Sequence, residues 1–470
     1  MKFTDYFGDR PFWQTAAKLA LPIAVQNVLT NSFQLVDTMM VSRLGGLTLS
    51  AVGMASQWGW MAAMLGFGLC SGMSVFTSQY WGIRDLKGIR RVLGMGVVTG
   101  LVMALVFWLV AFCNPAFVIR LFNKDPAVLE IGCSYLSIVC YSYPAVVLTS
   151  LLSTALRNTE RVKLPMYVSF FTTICNAICN YALIFGKFGL PAMGVAGAAI
   201  ATCISSWLGP ILLMIFSLAE KNILCGPIKE VFSFRLKNLG LFYQRALPPT
   251  LNEGLWGIGT LVLNMIFSNQ GYEYYAAVTI YRTFADLAFS FFVGLGNACV
   301  IMVGKSVGRG EIRRGIADAR RFSILVPVLS ALIGGIMALL RYPLVSVFST
   351  GGSLSELTLQ TALAVTVFCS LENSIRNIAY IQVVGIYRSG GDTLTGMLLD
   401  LGCLWLVGIP AALLAANVLH LSFLGIVAAA YLGEDLPKTV LCFLHFHSMR
   451  WLKPVTEEGR EGLKAWKKDS

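Results

Sequence analysis

Charged residues are scarce in this sequence. They make up 13% of its 470 residues, and only 24 residues are acidic, whereas a soluble domain carries about 25% charged residues. So few charges cannot cover a water-exposed surface, and a disordered chain would also need more of them. Apolar residues make up 56% of the chain, and the mean hydropathy is +0.70. The composition therefore predicts a polytopic membrane protein.

Polar stretches long enough to form a soluble domain are also lacking, since the longest segment between apolar stretches covers residues 219–243. The apolar stretches reach the roughly 20 residues that a bilayer-spanning helix needs, and they do not alternate as barrel strands do. We expect no cleavable signal, because residues 1–10 are polar and the first apolar stretch continues as a full span. The predicted spans are residues 14–41, 50–80, 92–113, 128–156, 164–186, 193–218, 244–268, 274–304, 320–341, 358–387, 393–417 and 422–447.

Histidines are too few, and cysteines too widely spaced, for a metal centre. The three histidines, His420, His445 and His447, all lie near the carboxy terminus, and the 12 cysteines contain no CxxC pair. Cysteines within apolar stretches read as small packing residues. No nucleophile is arranged with a His/Asp cluster, so we expect neither an enzyme nor a bound cofactor.

Lysine and arginine are distributed unequally between the two sides of the predicted bundle. By loop parity, 27 of the 36 lie on the side of the amino terminus and five on the opposite side, with four inside spans. This bias places both termini in the cytoplasm and predicts a multi-pass protein of the cytoplasmic (inner) membrane. Because the basic residues follow loop parity, the net charge of +12 reflects topology, and no nucleic-acid partner is expected.

The chain contains two copies of one unit. At an offset of 226 positions Pro22 aligns with Pro248 and Gly45 with Gly271, and at an offset of 231 Arg157 aligns with Arg388. Duplicated six-span units with a cleft between them are typical of transporters that work by alternating access. We predict an amino-terminal lobe over 1–218, a cytoplasmic loop over 219–243, a carboxy-terminal lobe over 244–447 and a basic cytoplasmic tail over 448–470.

Three segments carry a resemblance to a known family. They are VDTMMVSRLGG at 36–46, the run from ALRNTERVKLP to GVAGAAIAT at 155–202, and YRSGGDTLTG at 387–396. Together they resemble the multidrug and toxic-compound extrusion (MATE) transporters over nearly the full chain. The resemblance implies an all-α, V-shaped fold of 12 transmembrane helices in two pseudo-symmetric lobes. It also implies export of organic cations in exchange for protons or sodium ions.

Charges inside spans are costly unless they are paired or hydrated. Helical spacing of four residues offers partners for some of them, and we predict structural ion pairs between Arg282 and Asp286, Glu372 and Arg376, and Glu434 and Lys438. Three carboxylates have no basic residue three or four positions away on their own helix and are treated as unpaired. They are Asp37, Glu253 and Asp400.

Asp37 is the strongest candidate for ion coupling, because an unpaired buried carboxylate either holds a proton or binds a cation. The resemblance implies the same role, and it implies Asn176, Asn180 and Thr202 as companions. Some family members carry a second carboxylate at position 180, where this chain has asparagine. The ion could therefore be H⁺ or Na⁺, and Na⁺ at Asp37 is the one metal ion considered. The alternative is an aspartate that only hydrogen-bonds within a helix interface.

Glu253 and Asp400 are candidates for a substrate contact or a second coupling site. The resemblance places a glutamate at Glu253 in many members, and it places an aspartate of sodium-coupled members at a position that is Asn377 here. The asparagine weakens the case for a complete sodium site. Glu253 could therefore either contact the substrate or take part in ion coupling. Asp400 could face the cavity or bond to a neighbouring helix.

Prolines interrupt the first helix of each half. Pro22 precedes Asp37 and Pro248 precedes Glu253, and a proline inside a helix removes a hydrogen bond and bends it. We predict helix kinks at both prolines. The kinks either convert protonation into a change of helix bend or only shape the packing of the helices.

Secondary active efflux of an organic, cationic or amphipathic compound is the function that these features favour, with H⁺ or Na⁺ as the counter-ion. We expect a small-molecule substrate and the lipid bilayer as partners, and function as a monomer. The alternative is a lipid-linked saccharide flippase of a related fold. Such flippases tend to carry cations in the cavity, whereas the unpaired candidates here are acidic. A channel is disfavoured because each carboxylate occurs once in a duplicated chain.

Overall fold

The computed structural model describes residues 8–234, 236–349 and 355–469, and these ranges are helical apart from short connections. They contain no strand, only an isolated bridge between Gly391 and Leu452. Lys2 and Arg235, two of the basic residues used to predict orientation, lie outside the described residues.

The first half of the chain forms eight helices and the second half eleven, counted over the described residues. The first eight are α1 Arg10–Ser42, α2 Gly46–Gly82, α3 Leu86–Cys113, α4 Pro115–Arg120, α5 Pro126–Val139, α6 Tyr143–Asn158, α7 Lys163–Phe185 and α8 Gly194–Glu220. The others are α9 Ile228–Val231, α10 Leu236–Ser268, α11 Tyr272–Gly308, α12 Ile312–Leu339, α13 Arg341–Ser349, α14 Glu356–Tyr380, α15 Arg388–Gly390, α16 Thr393–Cys403, α17 Ile409–Asn417, α18 Phe423–His447 and α19 Glu457–Lys468.

Each of the twelve predicted spans corresponds to a helix or to helices that follow one another without a loop. Helices α5 and α6 are joined by a 3₁₀ turn at Cys140–Ser142 and form one span. Two π-helical segments, Ile381–Tyr387 and Leu404–Gly408, join α14 to α15 and α16 to α17. Nine helical segments of the described ranges are long and apolar enough to cross a membrane. The all-helical prediction is confirmed, and most of the helices extend a few residues beyond the predicted spans.

Contacts between Cα atoms divide the chain into two compact units. The amino unit contains residues 25–77 and 84–250, and the carboxy unit contains the described residues of 8–24, 78–83 and 251–469. Helices α1, α2 and α10 therefore each contribute to both units. The predicted lobe boundaries at 218 and 244 stay a prediction, and residues 8–24 group with the carboxy unit although they come first in the sequence.

Each unit has its own apolar core. In the amino unit Ala51, Val118 and Leu136 are among the fully buried members, and in the carboxy unit Phe267 and Ala430 are. Many large apolar side chains elsewhere remain exposed on the helices, which suits a surface in contact with lipid tails.

A close approach of α7 and α8 depends on Gly197. A Cβ atom at this position would lie 2.6 Å from the carbonyl oxygen of Leu183, a distance that a side chain cannot adopt without displacing the backbone. Glycine and the small residues around it therefore let the two helices touch. This packing brings the polar side chains of α7 next to those of α8.

The segment after α18 folds back onto the carboxy unit instead of extending away from it. The backbone N–H of Lys453 donates to the carbonyl of Gly390 at 2.8 Å, and Trp451 is fully buried. Gln79 accepts from the N–H of Val455 at 2.8 Å and donates to the carbonyl of Ser389 at 2.9 Å. The predicted basic tail is thus an ordered part of this unit, held to the ends of α2 and α15.

The buried carboxylate of Asp392, at the start of α16, holds the segment after α18 in place. Its carboxylate accepts from Lys453 Nζ at 2.7 Å and from Thr395 Oγ1 at 2.9 Å, and it contacts His445 Nε2 at 3.0 Å. Burial raises the pKa of Asp392, but the hydrogen bonds from His445, Lys453 and Thr395 outweigh burial and lower the pKa to about 2. The folded structure therefore favours the ionised carboxylate.

A depressed pKa in the folded state means that Asp392 stabilises the fold above its ordinary value of 3.8, and that this stabilisation is lost as the pH falls towards 2. We expect Asp392→Asn to lower the free energy of unfolding by about 1–3 kcal/mol near neutral pH. The difference from wild type should shrink as the pH falls from about 4 to below 2, because Asp392 becomes protonated in the folded wild-type protein as the pH passes its pKa of about 2. Thermal denaturation of the purified protein across this range measures it. Glu461→Gln, at an exposed site in the same segment, is the control. A difference independent of pH would contradict the assignment.

Candidate functional site

Asp37 lies on the part of α1 that belongs to the amino unit, and its carboxylate accepts a hydrogen bond from Asn180 Nδ2 on α7. The same amide nitrogen also reaches Asn176 Oδ1, one turn earlier, at 3.2 Å. Asn176 Nδ2 in turn donates to Ser205 Oγ on α8 at 3.0 Å. The structure thus joins Asp37, Asn180 and Asn176 in one chain of hydrogen bonds that ends on Ser205.

Thr202 borders this chain without bonding to Asp37. Its hydroxyl donates to the carbonyl of Ala198 on its own helix at 3.0 Å, and it also lies within hydrogen-bonding reach of the Tyr135 hydroxyl. Sequence reasoning missed Tyr135 and Ser205. Ser205 could have been found, because it follows Thr202 by one helical turn, whereas nothing in the sequence relates Tyr135 on α5 to this site.

The partners of Asp37 are neutral. Among the described residues, no lysine or arginine forms an ion pair with its carboxylate. Asn180 is fully buried, and its Oδ1 atom accepts no hydrogen bond from any described side chain. A carboxylate in this setting has amide and hydroxyl neighbours but no compensating positive charge.

Glu253 was treated as unpaired, and this expectation is wrong. Its Oε1 atom lies 2.8 Å from Arg388 Nη2, and Arg388 is 2% exposed. The partner comes from α15, 135 residues away in the sequence, so spacing along α10 could not reveal it. The signal available was the repeat, which singled out Arg388 as the counterpart of Arg157.

Arg157, which the repeat aligns with Arg388, makes a similar contact in the amino unit, but with a neutral partner. Arg157 Nη2 donates to Gln26 Oε1 at 2.8 Å, and the offset of 226 aligns Gln26 with Asn252, next to Glu253. In both units an arginine therefore holds the first helix of the repeat. Only the carboxy unit uses an ion pair for this purpose.

Asp400 is also paired, which corrects the second expectation of an unpaired carboxylate. Its Oδ1 atom lies 3.2 Å from Lys438 Nζ on α18, and its Oδ2 atom accepts from Asn252 Nδ2 at 2.9 Å. Asn252 precedes Glu253, so these contacts bring Glu253 and Asp400 into one region. Asn377 bonds elsewhere, donating to Ser330 Oγ at 2.9 Å, and the proposed roles of all three remain predictions.

Of the three predicted pairs within helices, one is confirmed. Lys438 Nζ lies 2.7 Å from Glu434 Oε1. Arg282 does not contact Asp286 but donates to Asn264 on α10 and to Tyr431 on α18.

The third pair, Glu372 with Arg376, is not formed either. Arg376 lies over the ring of Tyr431 at 5.8 Å, and Glu372 faces Asp435. The same physical reason applies to both failures, since neighbouring helices offer partners as close as those on the same helix.

Helices α1 and α10 continue through their prolines. Pro22 lies inside α1, and Pro248 and Pro249 lie inside α10. The boundary between the two units lies one or two residues after these prolines, after Ala24 in α1 and after Thr250 in α10. The kinks themselves stay a prediction.

The sequence profile of the MatE family matches this chain twice, over residues 22–182 and 255–414. The chain belongs to the MATE family. Each match covers most of one half, as the internal repeat predicts, and the family is one of membrane transporters for multidrug efflux.

Relatives and solved structures agree with the MATE assignment. A probable multidrug resistance protein NorM of Thermotoga maritima is 24% identical over 444 residues, which is 93% of this chain and 92% of the relative. Another NorM, of Mesorhizobium japonicum, is 26% identical over 94% of both chains. The crystal structure of the eukaryotic MATE transporter AtDTX14 matches with a TM-score of 0.82 at 19% identity, covering 97% of this chain and 99% of the other.

We expect the buried ion pair of Glu253 and Arg388 to stabilise the fold. Removing one partner of a buried ion pair costs about 3–5 kcal/mol, because the other charge is left uncompensated. We expect Arg388→Met to lower the melting temperature strongly. Glu253→Gln should lower it less, because glutamine satisfies the equivalent arginine in the amino unit.

The double variant Glu253→Gln/Arg388→Met should regain part of the stability lost in Arg388→Met. Melting temperatures of the detergent-purified proteins test this ranking. Equal losses in the two single variants, with no recovery in the double variant, would show that the pair contributes no specific stabilisation.

Proposed function

We propose that this MATE-family protein is a secondary active efflux transporter that exports organic compounds in exchange for protons. The observation that carries the proposal is the setting of Asp37, a half-buried carboxylate held by Asn180 with no cation among its described partners. An ionisable group inside a span is expensive, and it is found where an ion pathway or a proton relay needs it. The curated relatives, which are named multidrug resistance proteins, support export as the direction.

Protons are the coupling ion that the site favours. Asn180 donates to the ionised carboxylate through Nδ2, while its Oδ1 atom has no described partner. Rotation of the amide by half a turn would present Oδ1 as an acceptor to a protonated Asp37. The same side chain can therefore hydrogen-bond both charge states, which is what a group that binds and releases a proton requires. Sodium remains an outcome that the transport experiment distinguishes.

The substrate class that we propose is an organic cation or an amphipathic compound. An ionised Asp37 without a neighbouring cation leaves a net negative charge in the amino unit, and a negative charge in a region of low dielectric attracts cations. Exchange of one cation for a proton would leave the charge of this unit nearly unchanged. No enzymatic step is part of this mechanism.

The proposed setting is the cytoplasmic membrane, with both termini in the cytoplasm and the chain acting as a monomer. The distribution of lysine and arginine supports this orientation. Bacterial relatives of the same length support a multi-pass protein of the inner membrane.

Asp37→Asn tests the proposal, because asparagine keeps the size and hydrogen bonding of aspartate but cannot release a proton or carry a charge. We expect the variant to fold and to lose gradient-driven export, at least tenfold, while substrate binding without a gradient falls less. Uptake of a fluorescent organic cation into everted membrane vesicles measures export. Asn180→Ala should reduce coupling less, since it removes only a neutral partner.

A structural role for Asp37 predicts the opposite order of effects. Asp37→Asn protein would then express poorly or melt at a lower temperature, and the folded fraction would transport normally. Normal gradient-driven export by well-folded Asp37→Asn protein would exclude Asp37 as the coupling group.

A further inference from the structure

A second group of buried charges lies in the carboxy unit, centred on Lys438 of α18. Its Nζ atom lies 2.7 Å from Glu434, 2.9 Å from Asp435 and 3.2 Å from Asp400. Lys438 is 5% exposed, and Glu434 and Asp435 are 1% and 0% exposed. One ammonium group therefore faces three carboxyl groups in a region that water hardly reaches.

A fourth carboxyl group joins this cluster from α14. Glu372 is 5% exposed, and its carboxyl group lies within hydrogen-bonding distance of that of Asp435. Glu372 Oε1 and Asp435 Oδ2 are buried and accept no hydrogen bond from any described donor, while Asp435 Oδ1 lies 2.9 Å from Lys438 Nζ. Two carboxylates facing each other are both acceptors, so the contact has no donor unless one of them carries a proton.

The charges around this contact do not balance. Arg376, stacked over Tyr431, is the second cation of the cluster, so among the described residues four carboxyl groups face two cations. Arg282 and Asp286, which do not contact each other, and the ion pair of Arg388 with Glu253 add two charges of each sign and leave the excess unchanged. Among the described residues, the other titratable side chains at the cluster are Tyr281, Tyr431, Cys369, Cys403 and Cys442.

An excess of two buried negative charges is too costly to persist. Two like charges about 4 Å apart repel by about 4 kcal/mol even at an effective dielectric constant near 20. Carboxyl pairs that share a buried site avoid this repulsion by holding one proton between them. Because Lys438 contacts Asp435, Glu434 and Asp400 but not Glu372, the proton is needed most at the contact between Glu372 and Asp435.

We propose that Glu372 and Asp435 share one bound proton at neutral pH and form a second proton-binding site, located in the carboxy unit. The site does not depend on the role assigned to Asp37, and its ligand is the proton alone. Asp400, whose side chain is 16% exposed, is the most exposed carboxylate of the cluster. Together with the proposed coupling at Asp37, this site would let the protein exchange protons at two places.

Infrared spectroscopy of the purified protein in lipid nanodiscs tests the proposal, because a protonated carboxyl group has a carbonyl band that a carboxylate lacks. The Asp37→Asn background removes the contribution of Asp37. In this background we expect a protonated-carboxyl band at neutral pH that is lost in Glu372→Gln and in Asp435→Asn. Glu253→Gln is the matched control, since Glu253 is buried but ion-paired, and the band should persist in it.

Glu372→Gln is chosen because its amide N–H can donate to Asp435 in place of the shared proton, so the variant should fold. Retention of the full band in folded Glu372→Gln and in folded Asp435→Asn would overturn the proposal. Should neither variant fold, the absence of any protonated-carboxyl band at neutral pH in the Asp37→Asn background would overturn it equally. Loss of export in Asp37→Asn with the band unchanged would separate this site from the proposed coupling at Asp37.

Discussion

An ionised side chain inside a membrane span must be neutralised, because the hydrocarbon around it cannot solvate a charge. The carboxy unit places cations beside its buried carboxylates, and for Glu253 and Asp400 these cations come from other helices. Arg388 neutralises Glu253, and Lys438 approaches three carboxyl groups. Asp37 in the amino unit has only amide and hydroxyl neighbours among the described residues. A carboxylate that no cation fixes in its ionised form is free to take up and release a proton, and the proposed transport cycle depends on this freedom.

The two halves of the duplicated chain use the same framework for different purposes. In each unit an arginine near the end of the fourth span of the repeat holds the first span, through Gln26 in one case and Glu253 in the other. Asp37 in the amino unit has no cation partner among the described residues, while the carboxy unit contains a dense cluster in which four carboxyl groups face two cations. This difference in charge underlies both proposals, coupling at Asp37 and a shared proton in the carboxy unit.

Most of the fold could be predicted from the sequence. Apolar stretches of sufficient length identify the membrane-spanning helices, and the alignment of Pro22 with Pro248 identifies the internal repeat. The family resemblance implied that Asn176 and Asn180 lie near Asp37, as the structure has them, and helical spacing puts the two asparagines on one face; their coupling role stays a prediction. The partners of Glu253 and Asp400 could not, because Arg388 and Lys438 come from helices distant in the sequence. For the same reason, spacing suggested a pair of Glu372 with Arg376 where the structure forms contacts between helices. Nor did the basic composition of residues 448–470 reveal that this segment folds back onto the carboxy unit.

The central claim is that proton exchange at an uncompensated Asp37 drives export. The most direct measurement uses purified protein in liposomes, with a pH gradient imposed in sodium-free medium and, separately, a sodium gradient at equal pH on both sides. Movement of an organic cation across the membrane is followed in both cases. The account predicts transport driven by the pH gradient alone, together with movement of protons in the opposite direction. Transport that requires the sodium gradient and ignores the pH gradient would contradict it.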